Sequence, residues 1–474
     1  MQRILNNNTP KYLGKKVRIC GWVNSLRHHG GIVFLDLRDC SGILQVVSTP
    51  DLAKGIKEEY VLEIEGQIQK RPNKMVNPEL ETGEIELKAE IIKILAEAAT
   101  LPFNLKDLKV SLPVLLDWRP LTLRNKKIRA IFKIQEEVVS SFRKTLKDLG
   151  FTEFQAPTIV ASATEGGAEL FPIKYYKYNA YLAQSPQLYK QILVSVFERV
   201  FTVTRAYRAE PSITTRHISE YISLDAEMGF ISSWEELMDV CETVTKNIFR
   251  DIQENCQREL KMFNVKLPQL TEKIPRLKMR EAQEIIFKRT GRDNRKKIDL
   301  EPEDEKDICL WAKEKHGSEL IFITHFPTKK RPFYTYPDPE DENYTLSFDL
   351  LCRGLEIVTG SQRIHEYEKL LKNIKKFGLT PKTFQFYLQA FKYGMPPEGG
   401  FCMGCERMVK QILNLENIRE ASLFPRDMER IDQRLSLLQP RTRASGTVWG
   451  KPKKTPTLPP PSRRRRAPKK SIKK

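Results

Sequence analysis

The sequence predicts an α+β fold: a small β-barrel at the amino terminus, a larger domain of strands and helices behind it, and a basic tail without a core. Three patterns carry that reading. Five short strand-like runs fall between residues 17 and 95. Two longer strand-like runs bracket a charged loop at residues 201–230, and a glycine-rich strand runs straight into an amphipathic helix from residue 399. Composition agrees, since 40% of the 474 residues are hydrophobic, enough for two or more domains with ample cores. No apolar run reaches the roughly 18 residues that suggest a membrane span, and the start, MQRILNNNTP, lacks the apolar region of a signal peptide. A soluble, cytoplasmic protein with no membrane partner is expected. Eight scattered cysteines imply no disulfide framework.

The amino-terminal runs are VRICGWV, GIVFLDLRD, GILQVVS, VLEIEGQIQ and GEIELKAEIIKIL, with glycine in the turns between several of them. Five such strands in about 85 residues form the pattern of a small barrel of oligonucleotide-binding type, assigned to residues 1–100. Residues 101–128 read as a hinge or linker, 129–430 as the main domain and 431–474 as the tail. Within the main domain, FKIQEEVVSSFRKTLKDLGFTEFQAPTI reads as a long helix and a strand ending near a proline. Its apolar stripe of Ile134, Val138, Phe142 and Leu146 fits either a core helix or an interface. Residues 250–319 are charged, show helical periodicity and are expected to pack beside a sheet. From Arg441 onward the tail holds thirteen Lys and Arg and no acid, so the net charge of +20 falls to about +7 without it. Rich in proline and poor in apolar residues, it is expected to be disordered, as a polyanion-binding arm or as a solubilising extension.

The loop in FTVTRAYRAEPSITTRHISEYISLDAEMGF holds Arg208, Glu210, Arg216 and His217. Arginine offers bidentate donors to phosphate oxygens and a flat cation for stacking, so such a loop can grip a polyphosphate and a base edge. A solvated hairpin with surface ion pairs is the plainer account of the same residues. Asp225 and Glu227 alternate with Leu224, Ala226 and Met228, which places the carboxylates on one face of a strand. Glu356 is a lone carboxylate in a hydrophobic run, costly to bury unless paired or bound to a cation. The glycines in GGFCMGCERMVKQIL let a backbone approach a nucleotide closely. Cys402 and Cys405 in that segment are spaced like half a metal site or a redox pair, but no second pair or histidine cluster accompanies them.

Together these segments resemble the class II aminoacyl-tRNA synthetases, and within them the aspartyl enzymes of the shorter, archaeal-like type, over about residues 15–427. The resemblance implies an OB-fold followed by a catalytic domain built on an antiparallel sheet with flanking helices. It implies Arg208 and Arg407 as catalytic residues, and an ATP site of Arg208, Glu210, Arg216, His217, Ile218, Glu356, Gly404, Glu406 and Arg407. Mg2+ is assigned to Glu356 and Thr359. The segments TEGGAELF, SPQLYKQ and GLEIVTGSQRIH resemble the aspartate pocket, with Glu165 on a lid, Ser185 in the pocket, Gln187 near the ammonium, and Lys190 and Arg363 as two cations for the side-chain carboxylate. Arg208, Asp225 and Thr359 complete it.

Two cations favour aspartate over asparagine, because the neutral amide leaves charge uncompensated. Asparaginyl relatives typically carry an acidic residue where Lys190 stands, which disfavours that alternative. On the barrel the resemblance places anticodon recognition at Arg27, His29, Phe34 and Gln45, with Phe34 stacking on a base for roughly 1–3 kcal/mol. By type alone a strand aromatic is more often a core residue than a stacking platform. A histidine at position 29 goes, in related synthetases, with relaxed choice between tRNA(Asp) and tRNA(Asn). The long helix at 132–159 resembles the first class II signature and implies a homodimer. Thr359 stands where archaeal members tend to have serine, Cys402 where the family usually has glycine, and the tail runs past the usual end. A synthetase-derived asparagine synthetase would normally lack the barrel, and a non-catalytic RNA-binding relative would be expected to lack the ATP arginines or Lys190.

Overall fold

The computed structural model describes residues 1–161 and 170–437 and divides into two compact units, residues 1–108 and 109–474. The basic tail beyond residue 437 and the lid residue Glu165 lie outside the described residues.

In the first unit the five strands β1 (Lys16–His29), β2 (Ile32–Arg38), β3 (Ile43–Ser48), β4 (Val61–Lys70) and β5 (Ile85–Ala96) close a barrel in the order β1-β2-β3-β5-β4. Period-two alternation builds it: Val33, Leu35 and Leu37 of β2 are fully buried with Ile19, Leu44, Val46, Leu62, Ile64 and Leu87, while Phe34, Asp36 and Arg38 take the other face. Strand β1 runs past the expected VRICGWV to His29, because an irregularity between Val23 and Ser25 lets it bend and keep pairing with β2. Gly30 and Gly31, both at positive φ, form the tight turn that follows.

The second unit opens with α1 (Leu112–Asp117) and α2 (Arg119–Thr122), then the long helix α3 (Lys126–Asp148). Asn125 caps α3 by accepting from the backbone N–H groups of Lys127 and Ile128. Short strands β6 (Thr152–Glu153) and β7 (Ile159–Val160) follow, and β8 (Pro172–Tyr175) and β9 (Tyr178–Leu182) join β7 in a small separate sheet. Helix α4 (Gln187–Phe197) leads into the hairpin β10 (Arg199–Tyr207) and β11 (Glu220–Gly229). Helices α5 (Glu235–Asn255) and α6 (Gln257–Phe263), strand β12 (Arg276–Lys278) and helices α7 (Met279–Thr290) and α8 (Pro302–His316) come next. The charged stretch at 250–319 is therefore mostly helical, as its periodicity indicates, but it also supplies β12 as an edge strand.

The chain then forms β13 (Leu320–Thr324), β14 (Ser347–Cys352) and β15 (Leu355–Gln362), helices α9 (Tyr367–Lys376) and α10 (Gln385–Lys392), strand β16 (Glu398–Gly404) and helix α11 (Cys405–Leu413). The main sheet has eight strands in the order β12-β13-β14-β15-β16-β11-β10-β6, antiparallel except at its two edge pairs. One face carries Phe201, Leu224, Ala226, Phe348, Leu350, Val358, Phe401 and Met403 into a core with the buried stripes of α3, α5 and α11. The α3 stripe of Ile134, Val138, Phe142 and Leu146 is fully buried in that core, and the Phe142 ring meets Phe201 edge-on at 5.9 Å. The alternate residues, Asp225, Glu227, Asp349, Thr359 and Cys402, are left to the opposite face. Truncation of Phe142 to alanine removes a ring from the apolar face and is expected to cost about 3–5 kcal/mol. Denaturant unfolding of the second unit measures it, and a loss below about 1 kcal/mol would contradict the packing described.

Candidate active site

The β10–β11 hairpin, β15 and the β16–α11 junction surround a cleft of about 100 Å3. Nine residues assigned to ATP from the sequence line it: Arg208, Glu210, Arg216, His217, Ile218, Glu356, Gly404, Glu406 and Arg407. Register explains the convergence, since β11 pairs with β16 and β16 with β15, so residues far apart in sequence become neighbours across two strand gaps. The Arg407 guanidinium lies 3.4 Å from the Glu356 carboxylate and donates to its backbone carbonyl at 3.0 Å. Glu406 also anchors the hairpin, because its carboxylate accepts from the Ile222 backbone N–H at 3.0 Å, and burial pushes it up to about 7. Arg216 is paired with Glu305 of α8, which burial likewise pushes up to about 7. Burial, and then the Arg407 and Arg216 cations, lower the His217 imidazole to about 4. Its neutral ring shares a 2.8 Å hydrogen bond with Thr214.

A larger cavity, about 620 Å3, adjoins the cleft and is lined by Ser185, Gln187, Arg208, Asp225, Thr359 and Arg363, six residues assigned to the amino-acid pocket. Four residues line both spaces: Arg208, Glu356, Thr359 and Cys402. Lys190 is placed differently from a pocket-lining cation. It is fully buried beneath the site, with its ammonium 3.0 Å from both Asp225 and Glu227 and donating to the Phe401 carbonyl at 3.2 Å. Burial alone would lower its pKa, but Glu227 and Asp225 outweigh it and raise it. Glu227 in turn receives Arg363 at 2.7 and 3.3 Å, and that guanidinium also donates to the Gly400 carbonyl at 3.1 Å. Although burial opposes it, the two cations hold Glu227 below the usual carboxylate range. Gly400 is required here, because a methyl group in its place would collide with the Glu227 carboxylate and the Ala226 carbonyl.

Sequence reasoning missed Arg331 and Asp349. Asp349 stands opposite Thr359 across β14 and β15, 2.8 Å from the Arg331 guanidinium, which also donates to the Thr359 hydroxyl at 3.0 Å. Burial pushes Asp349 up to about 6, with Glu356 adding to the shift. The signal was cross-strand register, which no local motif displays. Glu356, Thr359 and Asp349 form a set of hard oxygen donors, a donor type that fits Mg2+, with Arg407 and Arg331 beside the two carboxylates. Cys402 sits between Asp225 and Thr359 on adjacent strands, its sulfur 3.1 Å from the Ser223 hydroxyl. Cys402 and Cys405 are both free thiols, and Cys405 points into the hydrophobic core, so they do not act as a pair. Among the described residues no group of three or more His, Cys, Asp or Glu is arranged to hold a metal.

On the barrel, Arg27 and Phe34 face each other across β1 and β2, with Phe34 half-buried on the side away from the core. His29 is exposed at the end of β1. Gln45 is buried, and its amide donates to Glu86 at 2.9 Å. No helix among the described residues is long and apolar enough to cross a membrane.

The family described as tRNA synthetases class II (D, K and N) matches residues 111–428, and the OB-fold nucleic acid binding domain matches residues 17–95. The chain belongs to the class II tRNA synthetases of the D, K and N group. It is 41% identical to an aspartate–tRNA(Asp/Asn) ligase of Aeropyrum pernix over 88% of this chain and 96% of the relative. It is 40% identical to an aspartate–tRNA(Asp) ligase of Pyrococcus furiosus, covering 90% of this chain and 98% of that one. Among solved structures, asparaginyl-tRNA synthetase from Pyrococcus horikoshii complexed with asparaginyl-adenylate superposes with a TM-score of 0.83 at 31% identity, over 91% of this chain and 99% of that one.

Two outcomes are expected of this synthetase. Lys190→Met strips Asp225 and Glu227 of a shared buried cation and is expected to cost about 3–5 kcal/mol by chemical denaturation; a near-neutral effect would refute the pairing. His217 has a folded-state pKa below the roughly 6.5 of an unfolded histidine, so the stability it contributes is present above that value and fades as pH falls toward about 4. An NMR titration of the ring should find it neutral at pH 6, and a midpoint at or above 6.5 would contradict its burial.

Proposed function

We propose that this class II synthetase activates L-aspartate with ATP and transfers the aspartyl group to the 3′ end of tRNA(Asp), and of tRNA(Asn) as well. The carrying observation is that the nucleotide cleft and the amino-acid cavity meet at Arg208, Glu356, Thr359 and Cys402. A carboxylate from one space and an α-phosphate from the other would meet beside Arg208. The α-carboxylate of aspartate is already ionised at neutral pH, so it attacks the α-phosphorus without a general base. Pyrophosphate leaves, and a mixed anhydride with AMP remains. The terminal 3′-hydroxyl of the tRNA then attacks the acyl carbon, and AMP departs with the electron pair of the broken anhydride bond.

Within this scheme the protein works by positioning and charge neutralisation. Arg208 holds the α-phosphate and the substrate carboxylate, while Arg407, together with Arg216, His217 and the Glu210 loop, holds the adenine and outer phosphates. Ser185, Gln187 and Asp225 take the ammonium, with Glu165 as the lid. Arg363 receives the side-chain carboxylate directly, and Lys190 supports it from below by fixing Asp225 and Glu227. Glu356 and Thr359, with Asp349, would hold Mg2+, which when bound neutralises phosphate charge. Residues 1–100 serve as the anticodon-binding domain through Arg27, His29, Phe34 and Gln45, 101–128 as the hinge, 129–430 as the catalytic domain, and 431–474 as a basic tail. A cytoplasmic homodimer is the working assembly.

An asparaginyl enzyme is the second reading, favoured only by the superposition on an asparaginyl-tRNA synthetase. Lys190 and the higher identity to aspartate ligases weigh against it. Charging both tRNAs is supported by His29 and by relatives that carry the tRNA(Asp/Asn) designation. Purified protein given ATP, Mg2+, aspartate and transcripts of each tRNA should aspartylate both. Charging of tRNA(Asp) alone would remove the His29 argument, and charging with asparagine instead would overturn the aspartate assignment.

A further inference from the structure

Glu398, the first residue of β16, is fully buried beneath the amino-acid cavity, and neither of its carboxyl oxygens receives a hydrogen bond from a protein donor. Strand pairing sets Glu398 opposite Gly229 and Gly400 opposite Glu227, so Glu398 and Glu227 are diagonal neighbours on one face of the sheet, and their carboxyl groups are in hydrogen-bond contact. Two carboxylates have only acceptors to offer each other, so that contact requires a proton on one of them. Glu227 is the wrong holder, because Arg363 and Lys190 both press against it at 2.7 and 3.0 Å. The proton belongs on Glu398.

We infer that Glu398 is a positioning residue for aspartate selection: as the neutral acid it donates to Glu227, and its proton keeps the buried cluster able to accept a substrate carboxylate beside Arg363. The inference rests on the aspartate reading above. Charge balance carries it. Lys190 and Arg363 are two buried cations, and Asp225 and Glu227 are two buried anions. An ionised Glu398 would make the cluster net negative at the place where the substrate's own carboxylate arrives, and repulsion in a desolvated site is expensive. With Glu398 neutral, the cluster is balanced and Arg363 keeps its Glu227 anchor.

The groups facing Glu398 are Glu227 from β11, Arg363 following β15, Lys190 from α4 and Tyr387 from α10. Burial first, and then Glu227, hold Glu398 well above the usual carboxylate range, the opposite direction from Glu227. Tyr387 is itself engaged with Gln191 of α4, so it is not the missing donor. The backbone ties the same parts together: the Arg363 N–H donates to the Glu398 carbonyl at 2.9 Å.

Two variants and one spectrum test this. Glu398→Gln keeps a donor toward Glu227 and cannot ionise, whereas Glu398→Leu fills similar space and cannot donate. In aspartate-dependent ATP–pyrophosphate exchange, the Gln variant is expected to keep a KM for aspartate close to wild type, and the Leu variant to raise it by about tenfold or more, the penalty for withdrawing a donor from a buried carboxylate beside the pocket. The KM for ATP should stay level in both. Equal aspartate KM values for Gln and Leu would overturn the proposal. Infrared difference spectra of wild type against Glu398→Gln should show the carbonyl stretch of a neutral carboxylic acid in the wild type alone, a readout that survives even if the Leu variant fails to fold. Absence of that band at neutral pH would also overturn it. If wild type exchanges pyrophosphate with asparagine rather than aspartate, the aspartate reading fails while the infrared result still reports on Glu398, so the two failures are distinguishable.

Discussion

Glu227 is the constraint around which the rest of the site is arranged. It is a carboxylate with no access to water, and a charge in that position survives only if cations meet it with good geometry. Lys190 reaches it from the helix before the hairpin, Arg363 from the end of the neighbouring strand, and Gly400 leaves the space in which its oxygens sit. Each of these demands fixes a backbone element: α4 must pack under the sheet, β15 must pair with β16, and β16 must be glycine-rich where it passes β11. Removing the cluster would therefore disturb the sheet order as much as the pocket.

The two faces of the main sheet divide the labour. Alternation along β11, β14 and β16 sends Leu224, Ala226, Phe348, Leu350, Phe401 and Met403 to the helices and sends Asp225, Glu227, Asp349 and Cys402 to the substrate side. Hydrophobic burial on one face thus provides the rigidity that the polar face needs for precise placement, since charged groups in a dry site tolerate little movement. Glu227 and Glu356, each held by more than one cation, are lowered despite burial, whereas Asp349, Glu305 and Glu406 are raised, because a single arginine or a backbone N–H does not offset their burial.

Much of this was legible in the sequence, and the reason is local chemistry. The residues assigned to ATP sit in a short loop and around one strand–helix junction, and strand pairing brings those two segments together around one cleft. The five barrel strands showed themselves by alternation and glycine turns. What stayed hidden depends on register or on depth. Asp349 and Arg331 matter because of what lies across from them, and Glu398 because of what lies around it; in the sequence each is an ordinary charged residue. Lys190 was found by its motif and assigned to the substrate carboxylate, but the two carboxylates and the carbonyl around its ammonium are not displayed by that motif. Depth is not written in a local pattern when a helix packs its polar residue inward. Gln45 makes the same point on the barrel, where Glu86 occupies its amide.

Cys402 brings sulfur to the place where the cleft and the larger cavity meet, yet burial pushes its thiol up to about 12. At neutral pH the thiol form is therefore strongly favoured, and the thiolate is the form that alkylating agents and peroxides attack. The side chain therefore contributes bulk and polarisability without a nucleophile. A cysteine where the cleft and the larger cavity meet is in this way left a poor nucleophile by its own burial.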